Sequence, residues 1–544
     1  MAKKYDSLGV MIDMSRNGVM NLPSLKAFLT TVKKMGYNTL FLYMEDTYEV
    51  EGEPYLGYMR SGYSIEEMKE IDEFCTSIGI EAIPCIQTLA HMKRFFKWET
   101  AAVDCDDILL AGDERTYTLI ENMFKTLSRC FKSRRIHIGM DEAHLLGKGR
   151  YFHEHGFVPS STIIREHLDK ICEIAKPYGY DLLLWSDMFI RIWNKGQYYL
   201  DEVKTVPKDV IESLPDGVKP VFWDYYHTDE GIYDAMLKIH KQFGEDVWFA
   251  GGIWSWYGFA PFNGYSIESM TAAMRACRKN KIKNIMMTLW GDDGMECSVF
   301  SLLPSLLYVA EYAKGNYDEQ KIKAKFKRIV GVDYDSFIKG DLPNVLTDTA
   351  VGTPSPSKYL LYSDPFLGFL DYTVSEGIGA KYASHRNELA TVAKSTRKYG
   401  YIFDSLAALC DVLEIKAELG VRTRKAYKAG DRAELLRLAN EDYPTLVKRI
   451  NRFHKTVERR WYKENKPSGM EVQDCRIAGL AGRVDACRRR LLSYLGGSVD
   501  KIEELERDIL KFYLPYAPAG EGEPIKYPCY GRIVTANEFT HYMD

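Results

Sequence analysis

Ile136-His137-Ile138-Gly139-Met140-Asp141-Glu142-Ala143-His144 is a short, apolar, strand-like run, broken by one glycine, that delivers two adjacent carboxylic acids at its end. In an α/β barrel, the C-terminal end of a strand is where catalytic groups sit. Two carboxyls held side by side discourage each other's ionisation, so their pKa values separate, which suits acid/base work. The dipeptide alone carries no information. Asp72-Glu73, Asp113-Glu114, Asp201-Glu202, Asp229-Glu230 and Asp318-Glu319 also occur, in charged, helix-like or loop contexts. What sets Asp141-Glu142 apart is the strand before it and the strands around it.

Seven more apolar runs flank that one: residues 9–14, 39–44, 80–86, 182–185, 220–223, 247–253 and 284–290. Helical patterns separate them. The first has Pro23 in its opening turn, places Leu25, Phe28, Leu29 and Val32 on one face, and stops at Gly36. The second opens on the capping-box pattern Ser64-Ile65-Glu66-Glu67 and stops at Gly79. Eight strands alternating with helices over about 300 residues predict a (β/α)8 TIM barrel spanning residues 1–312. A doubly wound open sheet would need a phosphate-binding glycine-rich turn after the first strand, and Asp13-Met14-Ser15-Arg16-Asn17-Gly18 is not one. Beyond Tyr312 strand-like runs nearly vanish. Residues 313–544 read as a mostly α-helical C-terminal domain, with helical patterns from about Lys394 to Lys511. Gly352-Thr353-Pro354-Ser355-Pro356-Ser357 reads as a linker, and residues 513–544 as an extended tail.

The formal charge of −4 over 544 residues gives no electrostatic reason to bind nucleic acid or an anionic membrane, and no apolar run reaches spanning length. No signal peptide is visible, and the 11 cysteines are scattered without a C-x-x-C pair, so reduced thiols and a cytoplasmic location are expected. No metal and no cofactor is expected. The helical region leaves a homodimer open.

The strand ends carry a consistent chemistry. In chain order they present Asp13 and Arg16; Glu45 and Asp46; Gln87 and His91; Asp141 and Glu142; Trp185 and Asp187; Trp223, Asp224, Tyr225 and Tyr226; Trp254 and Trp256; Trp290, Asp292 and Asp293. Acids and one Arg exchange hydrogen bonds with hydroxyls, and indoles pack the apolar C–H face of a sugar ring. This lining fits a neutral polyhydroxylated ligand. A phosphate or nucleotide site would show glycines and several basic groups.

With those residues in view, the stretch from His137 to Glu142 resembles the His-Ile-Gly-x-Asp-Glu signature of glycoside hydrolase family 20, the β-N-acetylhexosaminidases. The likeness covers roughly residues 8–300, and in carrying a helical C-terminal region the chain is similar to the hexosaminidase D branch and related bacterial exo-hexosaminidases. It implies exo-hydrolysis of a terminal β-linked GlcNAc or GalNAc, with retention and with the substrate's own acetamido oxygen as nucleophile. Under it, Glu142 is the general acid/base and Asp141 orients the acetamido group. Arg16 binds the 3- and 4-hydroxyls, while Trp185, Trp254 and Trp290 box the acetamido methyl and the sugar face. Trp223 lies on the same face as Tyr225, which reaches the acetamido carbonyl, with Tyr226 as its rival. Asp292 binds the 4- or 6-hydroxyl, with Asp293 and Glu296 as rivals. His91 is read as substrate-binding or as a partner that orients an acid, with a satisfied loop histidine as the alternative. The competing readings are an O-GlcNAcase-like substrate-assisted barrel, whose acids are two Asp where this chain has Glu142, and a non-catalytic sugar-binding barrel, which would be expected to lose one acid of the pair.

Overall fold

Eight parallel strands close on themselves in a computed structural model of the chain, which describes residues 5–98, 101–347, 352–511, 522–526 and 529–538. In chain order the strands are β1 (Ser7–Asp13), β2 (Thr39–Tyr43), β3 (Glu81–Cys85), β4 (Val103–Cys105), β5 (Ile108–Leu109), β6 (Arg135–His137), β7 (Asp181–Trp185), β8 (Lys219–Trp223), β9 (Trp248–Gly252) and β10 (Asn284–Leu289). The barrel runs β1-β10-β9-β8-β7-β6-β3-β2, and β4 and β5 form a separate antiparallel ribbon. The ribbon was not legible in advance. It sits in the long connection between β3 and β6, where Val103-Asp104-Cys105 shows no alternation long enough to mark a strand.

The helix boundaries follow the punctuation in the sequence. Asn21 caps the helix Leu22–Met35 by accepting from the Ser24 amide at 3.0 Å, and Gly36 ends it in a left-handed conformation. Ser64 and Glu67 form the anticipated capping box at the start of Ile65–Ser77. Inside the barrel the residues are large and apolar: Phe41 meets Trp248 edge to face at 5.9 Å. Gly9 permits this, because a Cβ there would lie 2.5 Å from the Phe41 ring. Among the described residues, no helix is long and apolar enough to cross a membrane.

The chain divides into two compact units. The first comprises Met1–Ile253, Ser266–Trp290 and Ser305–Val330, and contains the barrel. The second comprises Trp254–Tyr265, Gly291–Pro304 and Gly331–Asp544. Its long helices are Ile378–Ser395, Gly400–Lys428, Tyr443–Glu464 and Met470–Leu495. Helix therefore begins well before Lys394. Ile378–Ser395 has a weak apolar stripe, with only Ile378, Gly379, Tyr382, His385, Leu389 and Val392 buried, which hid it among polar neighbours. Tyr443–Glu464 is legible by contrast: Leu446, Ile450, Phe453, Val457 and Trp461 are buried at spacings of three and four. In the linker, Pro356 opens a short helix to Tyr362. Most of the expected tail also lies outside them. Its described part includes a short helix, Tyr530–Ile533.

Candidate active site

β6 ends in an unusual piece of backbone. Ladder hydrogen bonds continue past His137, with the Ile138 amide donating to Leu183 and the Trp185 amide to Gly139. Gly139, Met140 and Glu142 then all adopt positive φ, at 75°, 70° and 52°. For Met140 and Glu142 this is a sparsely populated conformation, of the kind that persists only where surrounding structure enforces it. Gly139 has a steric reason as well: a Cβ would sit 2.0 Å from Gln87 Oε1. That oxygen accepts from the Met140 amide at 3.1 Å, so the glycine of the signature makes room for the side chain that fixes the turn. Glu45, after β2, and His91, after β3, also have positive φ, at 46° and 59°.

The two acids are held differently. Asp141 is held on both oxygens: Gln87 Nε2 donates to Oδ1 at 2.8 Å, and His91 Nε2 lies 3.1 Å from Oδ2. His91 Nε2 is also 3.9 Å from Glu142 Oε2. The His91 amide donates to Asp107 at 3.2 Å, so the acid of the β3–β6 connection fixes the loop that carries the imidazole. Burial works against a charge on His91, but the attraction and hydrogen bond of Asp141 outweigh it and raise its pKa to about 10. Burial likewise works against ionised Asp141, and His91 with Gln87 hold its carboxyl below the usual range. The pair is thus imidazolium and carboxylate at neutral pH. Glu142 differs: its side chain is 46% exposed.

A third acid stands behind the pair. Asp187 is fully buried and accepts from the Glu142 amide at 3.1 Å through Oδ2. Its other oxygen has no hydrogen-bond partner. Burial, then the charges of Asp141 and Glu142, push its carboxyl up to about 7. His137 is buried beside Trp185, ring centroids 4.3 Å apart, and burial drives its pKa down to about 3, so it is a neutral packing residue.

Arg16 sits after β1 and is ion-paired with Glu45 from the end of β2. Asp13, at the end of β1, accepts from the amide and hydroxyl of Ser15 at 2.9 and 2.7 Å, and Ser15 Oγ in turn accepts from Arg16. Tyr43 links this group to the acid pair: its hydroxyl donates to Glu45 Oε1 at 3.0 Å and accepts from Gln87 Nε2 at 2.9 Å. Glu45 Oε2 is buried and has no hydrogen-bond partner. Leaving such an atom unpaired costs about 1–3 kcal/mol, a cost that invites a functional explanation. The Arg94 guanidinium lies 3.6 Å from it.

Aromatic rings complete the barrel end. Trp290 meets Tyr43 at 4.8 Å and 82°, and Trp185 at 6.2 Å. Trp223 stacks on Tyr225 at 5.4 Å, and the Tyr225 hydroxyl bonds with the Trp290 side chain. A Cβ on Gly252 would fall 2.7 Å from the Tyr225 ring, so that glycine admits the tyrosine. Tyr225 is buried, whereas Tyr226 is 41% exposed.

The first unit therefore brings together Arg16, His91, Asp141, Glu142, Trp185, Trp223, Tyr225 and Trp290. Trp254 and Asp292 belong to the second unit. Trp254 is buried there, stacked on Trp256 at 4.2 Å with the Lys526 ammonium 4.8 Å from its ring. Asp292 is exposed. Its two rivals are internal counter-ions: buried Glu296 is paired with Lys358, and Asp293 with Lys358 at 3.0 Å and Arg476 at 3.0 Å. Sequence reasoning missed Tyr43, Arg94 and Asp107. Arg94, three residues past His91, carried the clearest signal.

His91, Asp141 and Glu142 could in principle hold a cation, since one ligand-type atom from each lies within 4.8 Å of the others. The 3.1 Å separation of His91 and Asp141 is a hydrogen bond, and an imidazolium protonated to about pH 10 has no lone pair to offer. The group fits a proton-handling site better than a metal site.

Residues 335–522 match the family described as Glycoside Hydrolase 20C C-terminal domain. Hexosaminidase D of Bos taurus is 25% identical over 222 residues, covering 38% of this chain and 60% of its own length. Hexosaminidase D of Homo sapiens is 25% identical over 224 residues, covering 38% of this chain and 43% of its own. The chain thus spans less than two thirds of the length of these curated relatives. Among solved structures, the beta-N-acetylhexosaminidase from Bacteroides fragilis NCTC 9343 aligns with a TM-score of 0.46 at 19% identity, over 60% of this chain and 70% of that one.

Proposed function

We propose that this chain is a glycoside hydrolase family 20 exo-β-N-acetylhexosaminidase that removes a terminal β-linked N-acetylhexosamine by retaining, substrate-assisted hydrolysis. One observation carries the reading: a charged, doubly anchored Asp141 directly precedes a half-exposed Glu142. A fixed carboxylate that cannot swing suits orienting and charge stabilisation, while a half-exposed neighbour suits proton exchange with a leaving group and with water.

In the first step the acetamido oxygen attacks the anomeric carbon. The glycosidic C–O bond breaks, and the Glu142 carboxylic acid gives its proton to the departing oxygen. Asp141 accepts the acetamido N–H and stabilises the positive charge that spreads over the new five-membered ring. In the second step the Glu142 carboxylate takes a proton from water, and the resulting hydroxide forms the new C–O bond as the ring opens. Attack is intramolecular, so correct positioning supplies several kcal/mol of the barrier. Tyr225, buried beside Trp290, is the better placed of the two tyrosines to meet the acetamido carbonyl. Trp185, Trp223 and Trp290 supply the apolar wall, and Arg16 contacts the ring hydroxyls.

The test is the acetamido group. An aryl β-N-acetylglucosaminide should be cleaved, and the aryl β-glucoside, smaller and lacking only that group, should be essentially inert. A cyclised thiazoline mimic should inhibit far better than free N-acetylglucosamine. Comparable turnover of the glucoside, or trapping of a sugar–carboxylate adduct by a 2-fluoro glucoside, would refute substrate assistance.

A further inference from the structure

Glu45 offers a buried carboxylate oxygen with nothing bonded to it. The side chain is 1% exposed, and its Oε1 is satisfied by Arg16 and by the Tyr43 hydroxyl. Oε2 has no hydrogen-bond partner, and the Arg94 guanidinium stands 3.6 Å away, beyond bonding distance. The backbone at Glu45 is itself in the left-handed region, with φ 46°. Buried polar atoms are nearly always paired, and an exception held in a strained conformation at a strand end marks a place where a ligand supplies the partner.

The chemistry of that partner is narrow. Oε2 can only accept a hydrogen bond, and Arg94 can only donate one. A group that bonds both must donate and accept at a single atom, which describes a hydroxyl and excludes a carbonyl, a carboxylate or an ammonium. An oxygen about 2.8 Å from each closes a triangle on a 3.6 Å base without strain. Resting on the hexosaminidase reading above, we propose that Glu45 and Arg94 form a cradle for one ring hydroxyl of the terminal sugar, beside the Arg16 contact, and that this cradle is a specificity determinant of the site. Arg94 is suited to the task. Its side chain is 37% exposed, so it can move the short distance needed to bond, and it lies three residues beyond His91 on the same loop. Tyr43 and Gln87 connect the cradle to Asp141 through hydrogen bonds of 3.0, 2.9 and 2.8 Å, so occupancy of the cradle is registered at the acid pair.

The experiment is a cycle between side chain and substrate. Aryl β-N-acetylglucosaminide and its 3-, 4- and 6-deoxy analogues are compared on wild type, Arg94→Met and Glu45→Gln, with fold checked by circular dichroism. On the parent, each variant should lower kcat/KM by about 10- to 100-fold. On the one deoxy analogue that lacks the cradled hydroxyl, the loss from Arg94→Met should shrink to within about threefold, and Glu45→Gln should spare the same analogue. Equal losses on all four substrates would refute the cradle and leave Arg94 and Glu45 as structural residues. The same panel is read as binding of the free sugars by calorimetry. The cradle is thereby judged even if wild type fails to cleave the parent, an outcome that would refute the functional reading instead.

Discussion

Replacing His91 by Asn should remove the cation that holds Asp141. Asn is the substitution of choice because residue 91 has φ 59°, a conformation that Asn tolerates well. Holding an imidazolium to about pH 10 in place of 6.5 corresponds, at about 1.36 kcal/mol per pKa unit, to an upper bound of roughly 5 kcal/mol. His91 and Asp141 are 17% and 13% exposed, so the pair is mostly shielded from water. Loss of one partner from a buried pair costs about 3–5 kcal/mol. The sign of the pH effect follows from the raised pKa: the contribution is complete below about 6.5 and is lost as pH rises through about 10. Between pH 7.5 and 9.5 the unfolding free energy of wild type should therefore carry a fall of about 1.4 kcal/mol per pH unit that His91→Asn lacks. Urea unfolding at several pH values, followed by circular dichroism, measures it. Asp141 should also protonate more readily without its cation, so the acid limb of the activity profile should move to higher pH. Parallel stability profiles for wild type and variant across that window would refute a charged His91.

Two further predictions concern the other acids. Glu142→Gln should depress hydrolysis of substrates with poor leaving groups far more than of activated aryl glycosides, because acid assistance matters least where the leaving group is already good; equal losses on both would assign Glu142 another role. Asp187→Asn should keep the acceptor for the Glu142 amide while staying neutral at every pH. The Asp187 pKa is raised, so its stabilising protonation is complete below about 3.8 and lost as pH rises through about 7. Relative to wild type, the variant should gain about 2–4 kcal/mol between pH 4 and 8. A difference that stays flat with pH would show that Asp187 is not the buried proton carrier.

The barrel was legible because each of its strands is a short apolar run and most of the helices between them are bounded by residues whose roles are local. Asn21, Gly36, Ser64 and Glu67 act on their own neighbours, and such effects survive folding unchanged. The β4–β5 ribbon and the weakly striped helix Ile378–Ser395 were not legible, because tertiary contacts decide them and no period does. The same division runs through the site. Asp141 and Glu142 could be found because a strand end is a sequence position. Their environment could not, because it is assembled from other loops.

What the neighbouring acids do to each other shows this best. Adjacent in sequence, Asp141 and Glu142 invite the expectation that mutual repulsion separates their pKa values. In the fold both lie near His91 Nε2, Asp141 at 3.1 Å and Glu142 at 3.9 Å, but their surroundings differ. Asp141 meets His91 and Gln87 from the loop after β3, which hold it charged. Asp187, from the end of the next barrel strand, is pushed upward because it is fully buried beside two other acids. Gly139 ties these events together. It is needed for φ 75° and for contact with Gln87, and Gln87 in turn holds both the Met140 amide and the Asp141 carboxylate. A side chain at residue 139 would displace Gln87, freeing Asp141 on one side and Tyr43 on the other. The glycine and the acid two residues later are therefore one device: the backbone conformation that only glycine allows without strain is what lets a glutamine lock the carboxylate in place.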